Sequence, residues 1–244
     1  MNEWYKNWFS SDEYLSVYRH RDNEDAQKLI NHILSETNII KEGIVLDAAC
    51  GAGRHSINLA KKGFHVVGFD LSKTLLNIGK SDAQSNNVSI DLFCGDLRNI
   101  KLKKKFDLII NLFTSFGYFN TDDENFSFIR TAYDLLNENC YYILDYFNPE
   151  YIRNNLVQES KREFGSKKIT ERRKIENERV IKEIIIQNGS ALDSFFESVQ
   201  LYSREKIIGE FEKIGYRCAK IFGDYTGSKF VQSESQRLIL FFEK

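Results

Sequence analysis

The stretch "VLDAACGAGRH" (residues 45–55) places one acid, Asp47, and two glycines, Gly51 and Gly53, at the end of an apolar run. Glycine lets a backbone turn sharply and approach a ligand closely. A second acid, Asp70, closes the next apolar run 23 residues after Asp47. There a carboxylate can accept hydrogen bonds from ribose hydroxyls, so the pair fits a ligand built on adenosine. Three chemistries compete for such a turn. A nucleoside-triphosphate loop requires G-x-x-x-x-G-K-[ST], and no Lys-Ser or Lys-Thr follows these glycines. A dinucleotide turn requires G-x-G-x-x-G, but Arg54, His55 and Ser56 after Gly53 supply no third glycine. Asp47 is also an awkward neighbour for a diphosphate. A ligand with a cationic ammonium and no phosphate suits that acid better.

The elements that must position these residues are legible in the periodicity. "DAQKLINHIL" (residues 25–34) has apolar residues at helical spacing, and a first strand follows over about residues 44–48. A helix starts near Arg54 and ends at Lys61-Lys62-Gly63, a cationic last turn with a glycine behind it. "FHVVGFD" is a second strand ending at Asp70, and Ser72 can cap the helix "SKTLLNIGKSDAQ". "VSIDLFCGD" reads as strand three, and "FDLIINLFTSFGYF" begins with strand four. "DDENFSFIRTAYDLLNE" reads as a helix with acids in its first turn, and "CYYILDYFN" as strand five. Strands alternating with helices predict an α/β fold: a doubly wound, mostly parallel sheet. Near residue 155 the rhythm changes. Residues 169–202 are rich in β-branched and aromatic residues, and Asn188-Gly189 between two strand-like runs is a hairpin signal. We read this stretch as a small antiparallel insertion. A helix capped by Ser203 follows, and "RCAKIFGD" and "QRLILFFEK" close the chain as paired strands, the last antiparallel to the sheet.

Composition narrows the function. Lys plus Arg (34) balances Asp plus Glu (35), so no overall field draws the protein to nucleic acid or anionic membrane. At 42% hydrophobic residues the 244-residue chain can bury a proper core. The cysteines Cys50, Cys94, Cys140 and Cys218 form no C-x-x-C pair, which argues for reduced thiols in a cytoplasmic protein and against zinc. Cys50 reads as a small residue packed under the turn. The N-terminal residues lack the pattern of a signal peptide, and no apolar run has transmembrane length.

In "VLDAACGAGRHSINLAKKGFHVVGFDLS", "CGDLRNI" and "FDLIINLFTSFGYF" the chain resembles the class I S-adenosylmethionine-dependent methyltransferases, from about residue 40 to the C-terminus. Within that superfamily it looks most like the small-molecule type with a β-rich insertion before the last helix. The resemblance implies a Rossmann-like, seven-stranded sheet, with residues 1–154 and 203–244 binding S-adenosylmethionine and residues 155–202 arching over the active site as a lid. Gly51, Gly53 and Ala49 would pass the backbone against the methionine part, with Asp47 anchoring the network around the ammonium. Asp70 would hold the ribose hydroxyls, with Leu71 on the adenine; Asp96 would meet the adenine amine and Leu97 the ring edge. Asn111, followed by Leu112, would offer its backbone carbonyl to the ammonium. The usual L-x-P-G-G turn before strand five is here "LNENC". Strand four ends in "NLFT" rather than the [DNS]-P-P-[YFW] of enzymes that methylate exocyclic amines of nucleic-acid bases.

His55, Tyr118 and His20 are the candidates for a catalytic role, although for His55 the preferred reading is that it faces along its helix. Phe116 and Tyr118 follow strand four, where they could wall the substrate or pack in the core. "YLSVYRHRD" (residues 14–22) clusters aromatic and cationic residues where the superfamily folds an N-terminal element over the cofactor. Tyr18 and Arg21, or Arg19, are expected to reach the cofactor there, an arginine gripping its carboxylate; the alternative is a mixed-charge surface helix. The runs "KLKKK" (residues 101–105) and "KREFGSKKITERRK" read as solvated surface. The expected reaction is methyl transfer to a nitrogen or oxygen of a small molecule, without metal. The alternatives are an RNA-modifying methyltransferase, a catalytically silent cofactor-binding module and, third, a dehydrogenase.

Overall fold

The computed structural model describes residues 3–18 and 23–244. Its centre is a seven-stranded sheet of order β10-β11-β5-β4-β1-β2-β3. The strands are β1 (Ile44–Ala48), β2 (His65–Asp70), β3 (Asp91–Cys94), β4 (Phe106–Asn111), β5 (Leu136–Phe147), β10 (Arg217–Phe222) and β11 (Arg237–Glu243). The first five run parallel, and β11 lies antiparallel to both β5 and β10. Strand order reverses beside β1, which creates the crevice beyond the strand ends where ligands of open α/β sheets bind.

Period-two alternation sends successive side chains to opposite faces. Leu46 and Ala48 of β1 face the core built with Phe126, Phe128 and Ile129 of α6 (Asp122–Leu135) and Phe211 of α8 (Arg204–Glu212). Val45 faces the other core, made with Leu29, Ile30 and Ile33 of α3 (Asn23–Glu36) and Leu59 of α4 (Arg54–Ala60). Ser72 caps α5 (Lys73–Ser85), its Oγ accepting the Leu75 N–H at 3.2 Å.

A second, four-stranded antiparallel sheet follows β5 and α7 (Pro149–Asn155): β6 (Glu159–Phe164), β7 (Lys167–Glu176), β8 (Arg179–Asn188) and β9 (Ala191–Gln200), paired in chain order. Three two-residue loops connect them. Gly189-Ser190 is the loop foreseen at Asn188-Gly189, with Asn188 itself the last paired residue. The loop at Asn177-Glu178 was not foreseen; both residues have positive φ (50° and 54°), as a type I′ hairpin requires.

Several boundaries move. The expected meander from Ile169 begins ten residues earlier with β6, and the expected change at residue 155 is the end of α7, which Asn148 caps and Pro149 opens. Helix α6 stops at Leu135 rather than Glu138, because "LNENC" is already strand β5, with Asn139 left-handed (φ 59°). The strand expected over "VSIDLFCGD" is only four residues long.

The N-terminal residues form α1 (Trp4–Phe9) and α2 (Asp12–Tyr18). These are not a bare surface helix. Trp4, Tyr5, Trp8 and Val17 pack with Ile169, Ile184 and Ile186 of the second sheet in a separate apolar cluster. Lys167 pairs with Glu13 at 2.8 Å across the same junction. Arg19, His20 and Arg21, named above as candidates, lie outside the described residues.

Candidate active site

The turn after β1 is built from left-handed residues: Ala49 (φ 57°), Gly51 (φ 58°) and Gly53 (φ 71°). Two of the three are glycine, for which that conformation carries no Cβ penalty. Ala49 is the exception, and composition gave no signal for it. The Gly51 N–H donates to Asp70 Oδ2 at 2.8 Å, and the Ser72 N–H donates to Asp70 Oδ1 at 2.8 Å. One carboxylate thus joins the turn after β1 to the cap of α5. Cys50 is buried under this turn against Gly68 of β2, and burial pushes its thiol well above the usual range. That is the packing role expected of it.

Asp47 and Asp70 are both buried. Asp47 accepts a hydrogen bond from Ser56 Oγ at 2.6 Å. Burial pushes its carboxyl up to about 7, against the pull of Ser56 and with a contribution from the Asp70 charge. Burial also raises Asp70, opposed by its backbone donors at Ser72 and Gly51. His55 is buried, and burial with the nearby Arg54 holds it far below its ordinary value, so it is neutral.

These groups open onto a cavity of about 890 Å³, near the upper end of the roughly 300–1,000 Å³ usual for small-molecule sites. Of the residues singled out from sequence, Asp47, Ala49, Gly51, Asp70, Leu71, Asp96, Leu97, Leu112, Tyr18, His55 and Tyr118 line it. Gly53 and Asn111 do not. Gly53 instead caps α4, and Asn111 is buried with its Nδ2 donating to the Ala48 carbonyl at 2.9 Å, which ties β4 to β1. Phe116 turns away into the core against Phe126, Tyr146 and Tyr202.

Sequence reasoning missed two groups. Arg98 grips Asp96 (2.7 Å) and reaches Glu3 of the N-terminal segment (2.9 Å) and Glu124 at the start of α6 (3.2 Å). Although burial works the other way, these hydrogen bonds hold the Asp96 carboxyl below its ordinary value. The signal was present as the D-x-R spacing in "GDLRN". The second group lies on the second sheet. Arg173, Val180, Lys182, Glu197 and Val199 of the second sheet line the cavity. Lys182 pairs with Glu197 at 2.6 Å, Glu197 also accepts from Trp8 Nε1 at 2.7 Å, and the Tyr18 hydroxyl bridges Glu197 and Lys182. Only folding shows that residues 18, 182 and 197 meet.

Strand order, glycine turn and paired acids define the class I methyltransferase fold. Residues 45–139, about two fifths of the chain, match the family model of the methyltransferase domain. A putative methyltransferase of Geobacillus sp. (strain WCH70) is 31% identical over 101 residues, 41% of each chain. The dTDP-3-amino-3,4,6-trideoxy-alpha-D-glucopyranose N,N-dimethyltransferase of Streptomyces venezuelae is 32% identical over 80 residues, 33% of this chain and 32% of that one. The matched segment thus spans about two fifths of the first relative's length and a third of the second's. In three dimensions the likeness is wider. An S-adenosylmethionine-dependent methyltransferase from Clostridium acetobutylicum ATCC 824 superposes with a TM-score of 0.82 over 95% of this chain and 98% of that one, at 20% identity.

Proposed function

We propose that the chain is an S-adenosylmethionine-dependent methyltransferase that methylates a nitrogen or oxygen of a small molecule. The observation that carries this reading is the pair of buried acids, Asp47 and Asp70, on either side of the Gly51 turn in one cavity. The site fits the cofactor. Asp47 is a buried carboxyl made partly neutral by desolvation, and an ammonium beside it would restore its charge. Asp70 already accepts two backbone N–H groups, and each carboxylate oxygen keeps a lone pair for a ribose hydroxyl. Ala49 and Gly51 would face the methionine part, Leu71 and Leu97 the adenine, and Asp96 its amine.

When bound, S-adenosylmethionine supplies an electrophilic methyl on a sulfonium. This chain's residues have to align the acceptor and keep water out, and alignment in a dry pocket supplies much of the acceleration. In our reading the second sheet, with residues 155–202 as a lid, serves that purpose together with α1 and α2. Tyr118 and His55 stand in the cavity wall, and burial keeps the His55 imidazole neutral.

A small acceptor is favoured over nucleic acid. Several basic residues of the second sheet are paired with acids on its own strands, Arg172 with Glu159 (3.0 Å) and Lys174 with Glu176 (2.7 Å) among them. The four free cysteines suit a cytoplasmic protein. Among the described residues, no helix is long and apolar enough to cross a membrane, and no acid, His or Cys cluster could hold a metal. The test is to incubate the protein with S-adenosylmethionine and a panel of amino sugars and phenols, reading S-adenosylhomocysteine release. Turnover on any of them supports the reading; turnover on RNA alone contradicts it.

A further inference from the structure

The loop after β4 contains two consecutive left-handed residues, Phe113 (φ 57°) and Thr114 (φ 60°). For a bulky or β-branched side chain that conformation is an outlier, kept only where the surroundings over-determine it. Here the surroundings centre on one ion pair. Asp145 of β5 is fully buried; its Oδ2 accepts the Phe113 N–H at 2.9 Å, and its carbonyl accepts the Thr114 N–H at 2.9 Å. Arg237, the first residue of β11, donates to Asp145 Oδ1 from Nε (2.8 Å) and Nη2 (2.6 Å). The same Nη2 reaches Thr114 Oγ1 at 3.1 Å. Tyr225 donates its hydroxyl to Asp145 Oδ2 at 3.3 Å, and Arg54 lies 4.4 Å from the Phe113 ring centre.

A buried ion pair is a poor route to stability, because desolvation consumes most of the Coulombic gain. Its value here lies in what it holds. Leu112, Phe113, Thr114 and Ser115 all line the cavity, whereas Asp145 and Arg237 do not. Ser115 Oγ reaches the Leu112 carbonyl at 3.0 Å and the Ala49 carbonyl at 3.4 Å, so the kinked loop abuts the turn after β1.

We propose that Asp145 and Arg237 are positioning residues: they hold the Phe113–Thr114 kink that completes the cavity wall next to Ala49, so the cofactor site is preset before ligand arrives. The proposal rests on reading the cavity as an S-adenosylmethionine site. Without the pair the loop relaxes, the finished wall exists in only a fraction of molecules, and the apparent Kd rises by the inverse of that fraction.

The experiment is calorimetric titration of S-adenosylhomocysteine into the parent, Asp145→Asn, Arg237→Lys and the double variant Asp145→Asn with Thr114→Gly, with melting temperatures measured alongside. Asp145→Asn should weaken binding about tenfold or more, with a smaller loss for Arg237→Lys. Adding Thr114→Gly should recover about threefold, because glycine adopts this φ freely. A purely structural pair would lower the melting temperature while the folded variants kept the parent's Kd, or glycine would restore nothing; either result overturns the proposal. Should Asp145→Asn fail to fold, Arg237→Lys decides by the same criterion. If the parent itself does not bind S-adenosylhomocysteine, the functional reading has failed rather than the kink. Amide exchange at Phe113 and Thr114 then decides: faster exchange in Arg237→Lys than in the parent supports the pair's role, and equal exchange overturns it.

Discussion

Asp47, the penultimate residue of β1, and Asp70, the last of β2, lie on adjacent parallel strands, with Asp47 in register with Gly68 and Ala48 with Phe69, so Asp70 stands two residues beyond Asp47's partner. Both carboxyls are buried and face one cavity, and the charge of Asp70 helps to raise Asp47. Two carboxyl groups are kept together out of water, one of them partly protonated. That is costly for a fold and useful for a site that receives a cation.

The pH dependence follows with a definite sign. Asp47 rises from 3.8 to about 7, so the folded protein holds this proton more tightly than the unfolded chain. Its contribution to stability is complete below about pH 4 and is lost as pH rises through about 7. A bound ammonium favours the carboxylate, so S-adenosylhomocysteine should bind more tightly at pH 8 than at pH 6, releasing a proton. Calorimetry at pH 6.5 in two buffers of different ionisation enthalpy reads that proton. Asp47→Asn should abolish the release, cost about 1.5–3 kcal/mol of affinity, and raise the melting temperature of the free protein at pH 8.

Asp70→Ala should damage both binding and fold. It removes the expected ribose acceptors, and it strands the Gly51 and Ser72 N–H groups that the carboxylate now satisfies. Each loss is about 1–3 kcal/mol. Asp70→Asn keeps an acceptor oxygen and should recover part of the stability, measured by urea unfolding.

Arg98→Met should loosen the N-terminal segment, because Arg98 joins Glu3 to Asp96 and Glu124. Trypsin should then cut at Lys6 faster than in the parent, while the melting temperature of the sheet domain changes little. Equal cleavage would show that the apolar contacts of α1 hold the segment without this bridge.

Much of this was legible in the sequence because local patterns set it. Alternation and helical spacing mark β1, β2, α4 and α5, and the glycines and acids stand at strand ends. The remainder depended on contacts distant in sequence. Tyr18, Lys182 and Glu197 meet only because α2 docks on the second sheet, and Asp145 holds the β4 loop only because β11 brings Arg237 beside it. Asn111 closes β4, and its side chain ties that strand to Ala48 of β1, a pairing the sequence does not mark. No periodicity distinguishes those outcomes.

The proposed lid has its own reporter, since the chain's two tryptophans, Trp4 and Trp8, both lie in the cluster joining α1 to the second sheet. Ile184 is fully buried there. Ile184→Ala should cost about 2–5 kcal/mol of local stability and shift tryptophan emission to the red. An unchanged spectrum would mean that the N-terminal helices do not depend on that sheet.

The most direct measurement is calorimetric titration of the purified protein at pH 7.5 with S-adenosylhomocysteine and, separately, with NAD and ATP. The paired acids and the absent third glycine predict S-adenosylhomocysteine binding in the micromolar range, about −8 kcal/mol, with NAD and ATP binding far more weakly. Tight NAD binding with no response to S-adenosylhomocysteine would contradict the methyltransferase account at its root.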